Sequence, residues 1–176
     1  MSFFDALSQQ EITILKMFNQ PFSVYFNLVF MVLIYLIYPM LIVFTFYYIK
    51  KRQNTKFFHL VLSAILGYLF VLGIKYYFDR PRPYETYTNL PKIFEKSDPS
   101  FPSAHTFMSF LMLSFIPAET PKWLKYILAV YLSILVPFSV MYAGVHYPSD
   151  VIAGAILGIL FPKIISEKLS KKIFKH

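Results

Sequence analysis

The chain contains no cysteine. A disulfide, a thiolate metal site and a cysteine nucleophile are therefore excluded, while the compartment stays open. Charge is the second scarcity. Nine acidic and seventeen basic residues serve 176 positions, and they are bunched rather than spread along helix faces. A soluble domain of this size needs a polar outer surface, which a chain that is 57% hydrophobic cannot supply. Internal repeats and low-complexity tracts are lacking too. The start of the chain has no basic leader, and its first apolar run is far longer than a signal core, so a cleavable signal peptide is not expected.

What the chain does have is apolar runs of membrane-spanning length. Five spans are expected, at about Phe22–Ile49, Phe57–Phe78, Pro102–Ile116, Trp123–Met141 and Pro148–Ile165. Pro39 should bend the first rather than split it, since membrane helices tolerate proline. The third is short, roughly 22 Å at 1.5 Å per residue, which suits a helix whose start is sunk below the headgroup level. Ahead of them, Phe4, Leu7, Ile14 and Phe18 could share one face of a helix lying on the membrane surface. The expected architecture is all-α: one polytopic transmembrane bundle over residues 1–176, with an N-terminal interfacial helix and no room for a separate soluble module.

The basic excess does not signal nucleic acid. Lys50, Lys51, Arg52 and Lys56, then Lys122 and Lys125, then Lys168, Lys171, Lys172 and Lys175 all flank apolar spans. With five spans these clusters fall on one side, and the positive-inside rule makes that side cytoplasmic. The polar Asp79–Phe101 stretch and the Ala143–Tyr147 turn then face outward.

Three distant segments deliver reactive side chains to that outer face. The first runs from Lys75 to Arg82 and Pro83, the second is Pro102-Ser103-Ala104-His105, and the third runs from Gly144 through His146 to Asp150. Each residue type has a use if the ligand is phosphate. Arg82 offers a planar fork matched to phosphate oxygens and Lys75 a point charge. Ser103 and the backbone N–H groups of the starting helix, Ala104 included, make an anion site. His146 could attack phosphorus and His105 could protonate the leaving oxygen. Asp150, four residues after His146, could reach back to fix the imidazole tautomer. His59 and His176 lie far from this group. Gly154 and Gly158 are spaced for close helix packing rather than ligand binding.

In order and internal spacing the three segments resemble the signature of the type 2 phosphatidic acid phosphatase (PAP2) superfamily of membrane lipid phosphatases, over about residues 57–165. The resemblance implies phosphate binding by Lys75, Arg82 and Ser103, acid catalysis by His105, nucleophilic attack by His146 and orientation of His146 by Asp150. It implies a phosphohistidine intermediate, no metal, no cofactor and a phosphorylated membrane lipid as partner. Expected substrates are undecaprenyl diphosphate, phosphatidylglycerophosphate, phosphatidic acid or a lipid A 1-phosphate. Phosphotransfer to another lipid uses the same residues, and a silent lipid-phosphate binder is a third reading.

Two positions depart from the signature. Ala104 stands where it has glycine, a mild change if that backbone needs no positive φ. Val140, after Ser139, stands where it has arginine. Either Arg80 compensates from the neighbouring loop, or activity is weakened, or the pocket favours another phosphate geometry.

Overall fold

In the computed structural model, which describes residues 3–18, 24–87, 90 and 92–165, all regular structure among the described residues is helical. That is the expected solution for an apolar chain in lipid, where each backbone polar group must find its partner internally. An N-terminal helix α1 (Phe3–Phe18) precedes α2 (Val24–Tyr35) and α3 (Ile37–Lys50). The long α4 (Asn54–Phe78) and the single turn α5 (Pro83–Thr86) follow. Then come α6 (Ala104–Leu113), α7 (Lys122–Val130), α8 (Val136–Tyr142) and α9 (Pro148–Ile164), with a π-helical turn at Tyr131–Leu135 joining α7 to α8.

Three stretches are long and apolar enough to cross a membrane: Val24–Lys50, Asn54–Thr86 and Lys122–Tyr142. The first is interrupted at Leu36, between α2 and α3. Pro39 has no N–H to offer Tyr35, although Leu36 still donates to Val32 and Met40 to Leu36. The third loosens for the same kind of reason. Val136 donates five residues back to Tyr131 and the next residue, Pro137, cannot donate at all, which gives the π-helical turn. The remaining two expected spans are α6 and α9, of 10 and 17 residues. The expected start of the first span at Phe22 and the C-terminal lysines lie outside the described residues.

α6 is the hub. Seven of its ten side chains are buried, and it packs most extensively on α9. Helices in lipid gain little from hydrophobic exclusion and depend on close packing through small residues. Here a Cβ on Gly154 would sit 2.5 Å from the Ser103 carbonyl oxygen, and one on Gly158 would sit 2.4 Å from that of Phe107. Glycine at both positions therefore lets the two backbones touch, as their spacing suggested. The contact also fixes the start of α6 against the start of α9, where the Ser103 N–H donates to the Asp150 carbonyl at 3.0 Å.

α1 docks on α8 and α9 rather than turning only an apolar stripe inward. Its buried residues are Ser8, Glu11 and Leu15, whereas Ile14 is exposed. Ile14, on the apolar face read from the sequence, thus points away from the bundle, and the polar residues that dock the helix were not apparent from that stripe. The Glu11 carboxylate, paired with Arg80, docks the helix.

Candidate active site

A cavity of about 340 Å³ opens at the end of the bundle where α4 finishes and α6 and α9 begin. Lys75 from the last turn of α4, Arg82 at the start of α5, Ala104 and His105 from the first turn of α6, and His146 from the α8–α9 turn all line it. The three separated segments thus converge on one space. Tyr38 of α3 and Tyr68, Leu72 and Tyr76 of α4 form its other wall.

Local sequence explains how His146 arrives there. Gly144 takes φ 70° after α8, its N–H donating to Met141 and that of Val145 donating to Val140 at 3.3 Å. This is a Schellman turn, which needs the left-handed backbone that glycine adopts without strain. Such turns place an apolar residue from the last helical turn against one just past it. Val140 and Val145 do this here, both fully buried in one apolar cluster. Val140 therefore has packing work at the position where the resemblance expects arginine. Pro148 then opens α9, preset in φ and lacking an N–H that the first turn would leave unpaired.

Asp150 sits in the first turn of α9, fully buried. One oxygen accepts from Arg80 at 2.6 Å. The other accepts from the Tyr147 N–H at 2.9 Å and from the Ser100 hydroxyl, and lies 3.4 Å from His146 Nδ1. With Nδ1 turned to Asp150, Nε2 is the other end of the ring and lies 3.4 Å from Arg82. Burial holds the His146 pKa well below the ordinary histidine value, and Arg82, Lys75 and Lys96 push it the same way. Both effects favour the neutral imidazole, which has a lone pair available.

The cations are held by a residue outside the sequence motifs. Asp98 takes Lys75 on one oxygen and Arg82 on the other, each at 2.9 Å. Burial alone would raise the Asp98 pKa, but Lys75, then Arg82 and Lys96, outweigh it and bring it down to about 2. Arg82 also donates to the Val145 carbonyl at 2.7 Å and Lys75 to the Pro99 carbonyl, so the 98–100 segment is gathered onto both. Lys96, from the same segment, lines the cavity as well.

His105 lies 3.3 Å from the Tyr38 hydroxyl, with the Tyr35 ring edge-on to it. Among the described residues that line the cavity, neither Ser103 nor Arg80 is included. The Ser103 hydroxyl caps α6, accepting from the Thr106 N–H at 3.4 Å and the Thr106 hydroxyl at 3.0 Å. Arg80 does not fit the expected compensation for the missing arginine, because its terminal nitrogens are committed elsewhere. One donates to Ser149 and Asp150, the other to Ser8 and Glu11, and the group lies 3.9 Å over the Tyr147 ring. Glu11, Asp98, Ser100 and Lys96 were not apparent from the sequence. None lies in a periodic pattern, and each reaches the site only through tertiary folding. Among the described residues, no group of three or more histidine, aspartate or glutamate side chains is placed to hold a metal ion.

Fold and site together define a class: an all-helical membrane protein with a cationic, two-histidine cavity at one end of its bundle. Residues 56–173 match the PAP2 superfamily, and the chain belongs to it. The bacitracin transport permease protein BcrC of Bacillus licheniformis is 39% identical over 54% of this chain and 46% of its own length. An undecaprenyl-diphosphatase of Sulfolobus acidocaldarius is 34% identical over 62% of this chain and 53% of its own. The chain thus spans about half the length of these relatives. Among solved structures, Aquifex aeolicus LpxE superposes with a TM-score of 0.75 and 27% identity, covering 89% of this chain and 94% of that one. A Bacillus subtilis PAP2-type phosphatidylglycerolphosphate phosphatase shares the fold, with a TM-score of 0.68 at 22% identity over 96% of this chain and 88% of that one.

Proposed function

We propose that this membrane phosphatase removes a terminal phosphate from an anionic lipid through a phosphohistidine on His146. The observation that carries the reading is the cavity itself. It presents a histidine with a carboxylate behind its Nδ1, a second histidine, and two buried cations in one cavity.

In the proposed reaction Lys75 and Arg82 hold the phosphate oxygens and balance the charge that grows on them. His146 Nε2 attacks phosphorus and forms the N–P bond as the bond to the leaving oxygen breaks. Asp150 keeps the proton on Nδ1 and stabilises the resulting cationic ring. His105 donates a proton to the leaving oxygen. Water then attacks the phosphohistidine, giving its proton to His105, and orthophosphate leaves with His146 restored. No step calls for a metal ion. Ser103 acts by capping and placing α6, and Ala104 by its backbone at the cavity wall.

A lipid substrate fits the cavity wall made by α3 and α4. Tyr68 and Tyr76, which line the cavity, are 41% and 66% exposed on the membrane-crossing α4, which supports an opening toward the lipid phase. The relative named as an undecaprenyl-diphosphatase makes undecaprenyl diphosphate the first substrate to test. The site is proposed to face outward, because Lys50, Lys51, Arg52 and Lys56 mark the opposite, cytoplasmic end of α3 and α4.

The test is phosphate release by the purified full chain in detergent with EDTA present. The panel is undecaprenyl diphosphate, phosphatidylglycerophosphate, phosphatidic acid and lipid A 1-phosphate. Wild type should release phosphate from at least one, and His146→Ala should lose about 10³-fold or more. Undiminished release by the variant would sink the nucleophile assignment.

A further inference from the structure

A third cation faces the cavity, and it is built into place. Lys96 lies in the irregular segment between α5 and α6, yet both its backbone groups are clamped by one side chain. Its N–H donates to the Tyr84 hydroxyl at 3.1 Å, and its carbonyl accepts from the same hydroxyl at 3.1 Å. The half-buried side chain runs between aromatic rings, its ammonium 6.0 Å from the Tyr35 centroid and 5.9 Å from that of Phe94. It lines the same 340 Å³ space as Lys75, Arg82, His105 and His146.

What sets Lys96 apart is that, among the described residues, it makes no ion pair at contact distance, although Asp98 acts on it from further away. Lys75 and Arg82 share Asp98. Among the described residues, no carboxylate lies within ion-pair distance of the Lys96 ammonium. Asp98 cancels one of the two positive charges contributed by Lys75 and Arg82, and a terminal phosphate brings between one and two negative charges. Lys96 restores the second positive charge in the cavity. Its segment is also anchored over Val140, because Ile93 and Phe94 pack on the apolar cluster that buries that residue.

We propose that Lys96 is a phosphate-binding residue of this site, its ammonium donating to an oxygen of the substrate phosphate alongside Lys75 and Arg82. The identity of the ligand rests on the phosphatase reading above. The contact itself does not need turnover. Lys96 supplies from a loop the third cationic contact that α8, with valine at position 140, does not provide.

The test is equilibrium binding of radiolabelled orthophosphate to the purified full chain in detergent. Lys96→Met should weaken binding about tenfold or more, the expected loss of one charge-assisted contact. Lys96→Arg should stay within about threefold of wild type, and Lys92→Met, at an exposed lysine paired with Glu95, should change nothing. A Lys96→Met protein that binds orthophosphate as wild type does overturns the assignment.

A second measurement uses the unmutated chain and so does not depend on any variant folding. Orthophosphate should slow acetylation of Lys96, read by mass spectrometry, by about threefold or more while leaving Lys92 unaffected. Equal rates at Lys96 with and without orthophosphate would likewise overturn it. Full lipid hydrolysis by Lys96→Met removes this inference and leaves the phosphatase reading intact. Lys96-dependent orthophosphate binding with no lipid hydrolysis does the reverse.

Discussion

Arg80 and Asp150 form an ion pair at 2.6 Å with both side chains buried, directly behind the face of Asp150 that meets His146. The pair extends to the N-terminal helix, because the other terminal nitrogen of Arg80 donates to Glu11 at 2.8 Å. Glu11 also accepts from the Ser149 backbone N–H at 2.5 Å, at the start of α9. α1 therefore reaches the cavity indirectly, through Arg80 and Asp150.

Arg80 and Glu11 should accordingly behave as positioning residues. Arg80→Ala leaves the buried Glu11 and Asp150 carboxylates without their shared cation, and breaking a buried pair costs about 3–5 kcal/mol. Its thermal midpoint in detergent should fall well below that of wild type. Glu11→Gln keeps hydrogen bonding at the site while removing one charge, so it should fold. Its kcat should drop about three- to tenfold with KM nearly constant. A raised KM at unchanged kcat would instead place Arg80 and Glu11 in substrate binding.

Asp98 stands where a phosphate would be expected to bind, between the Lys75 and Arg82 side chains at 2.9 Å from each. With its pKa brought down to about 2, it stays ionised across the usable pH range and, in the proposed reaction, would compete with substrate for both cations. Asp98→Asn should tighten inhibition by orthophosphate about threefold or more, the scale of a partly exposed ion pair. Backbone carbonyls of residues 98–100 still bind Lys75 and Arg82, so the segment should keep its place. Weaker inhibition in the variant would mean that Asp98 orients the cations rather than competing for them.

The contrast between His146 and Lys96 indicates what could be read from the chain alone. Lys75, Arg82, His105, His146 and Asp150 were legible because each sits at a fixed offset from a proline or a helix end, and those offsets survive folding. The three membrane-length stretches were legible by length, and the short α6 by its bounding prolines. Asp98 and Lys96 lie in a segment without period or motif, where tertiary contacts of Tyr84, Ile93, Phe94, Lys75 and Arg82 set which way a side chain points. Glu11 was hidden for another reason. An apolar stripe marks a face toward lipid and says nothing of the polar positions beside it, which a buried arginine on the bundle recruits. Arg80 itself illustrates the limit of proximity in sequence: two residues from Arg82, it faces a different set of partners.

The pH profile follows from His146. Its ring is surrounded by Arg82, Lys75 and Lys96 on the cationic side and by Asp150 and Asp98 on the other, with Ser100 beside Nδ1. Burial and the cations lower its pKa, so the free-base form needed for attack persists to lower pH than in an ordinary histidine. The acid limb of kcat/KM should therefore lie below pH about 6.5. Removing one cation should move that limb upward, and Lys96→Met does so without touching the motif residues. An acid limb that stays in place in that variant would show that another group controls it.

The contact between α6 and α9 separates packing from chemistry. A methyl group on Gly154 would fall 2.5 Å from the Ser103 carbonyl oxygen, and one on Gly158 would fall 2.4 Å from that of Phe107, about one turn further from the cavity. Neither obstacle is a flexible side chain, so the helices must separate. Each substitution to alanine should cost about 1–3 kcal/mol by overpacking. Their effects on turnover should differ. Gly154→Ala pushes on the residue that precedes Ala104 and His105, and on the Ser103–Asp150 backbone link, so it displaces the proposed acid relative to the proposed nucleophile. A displacement of that kind, on the order of 1 Å, is enough to cost about a hundredfold in rate. Gly158→Ala spreads the helices nearer their middle and should leave turnover within about tenfold of wild type at a temperature where both variants are folded. Equal losses of kcat in the two variants would mean that the crossing matters for stability alone, and that the placement of His105 does not depend on Gly154.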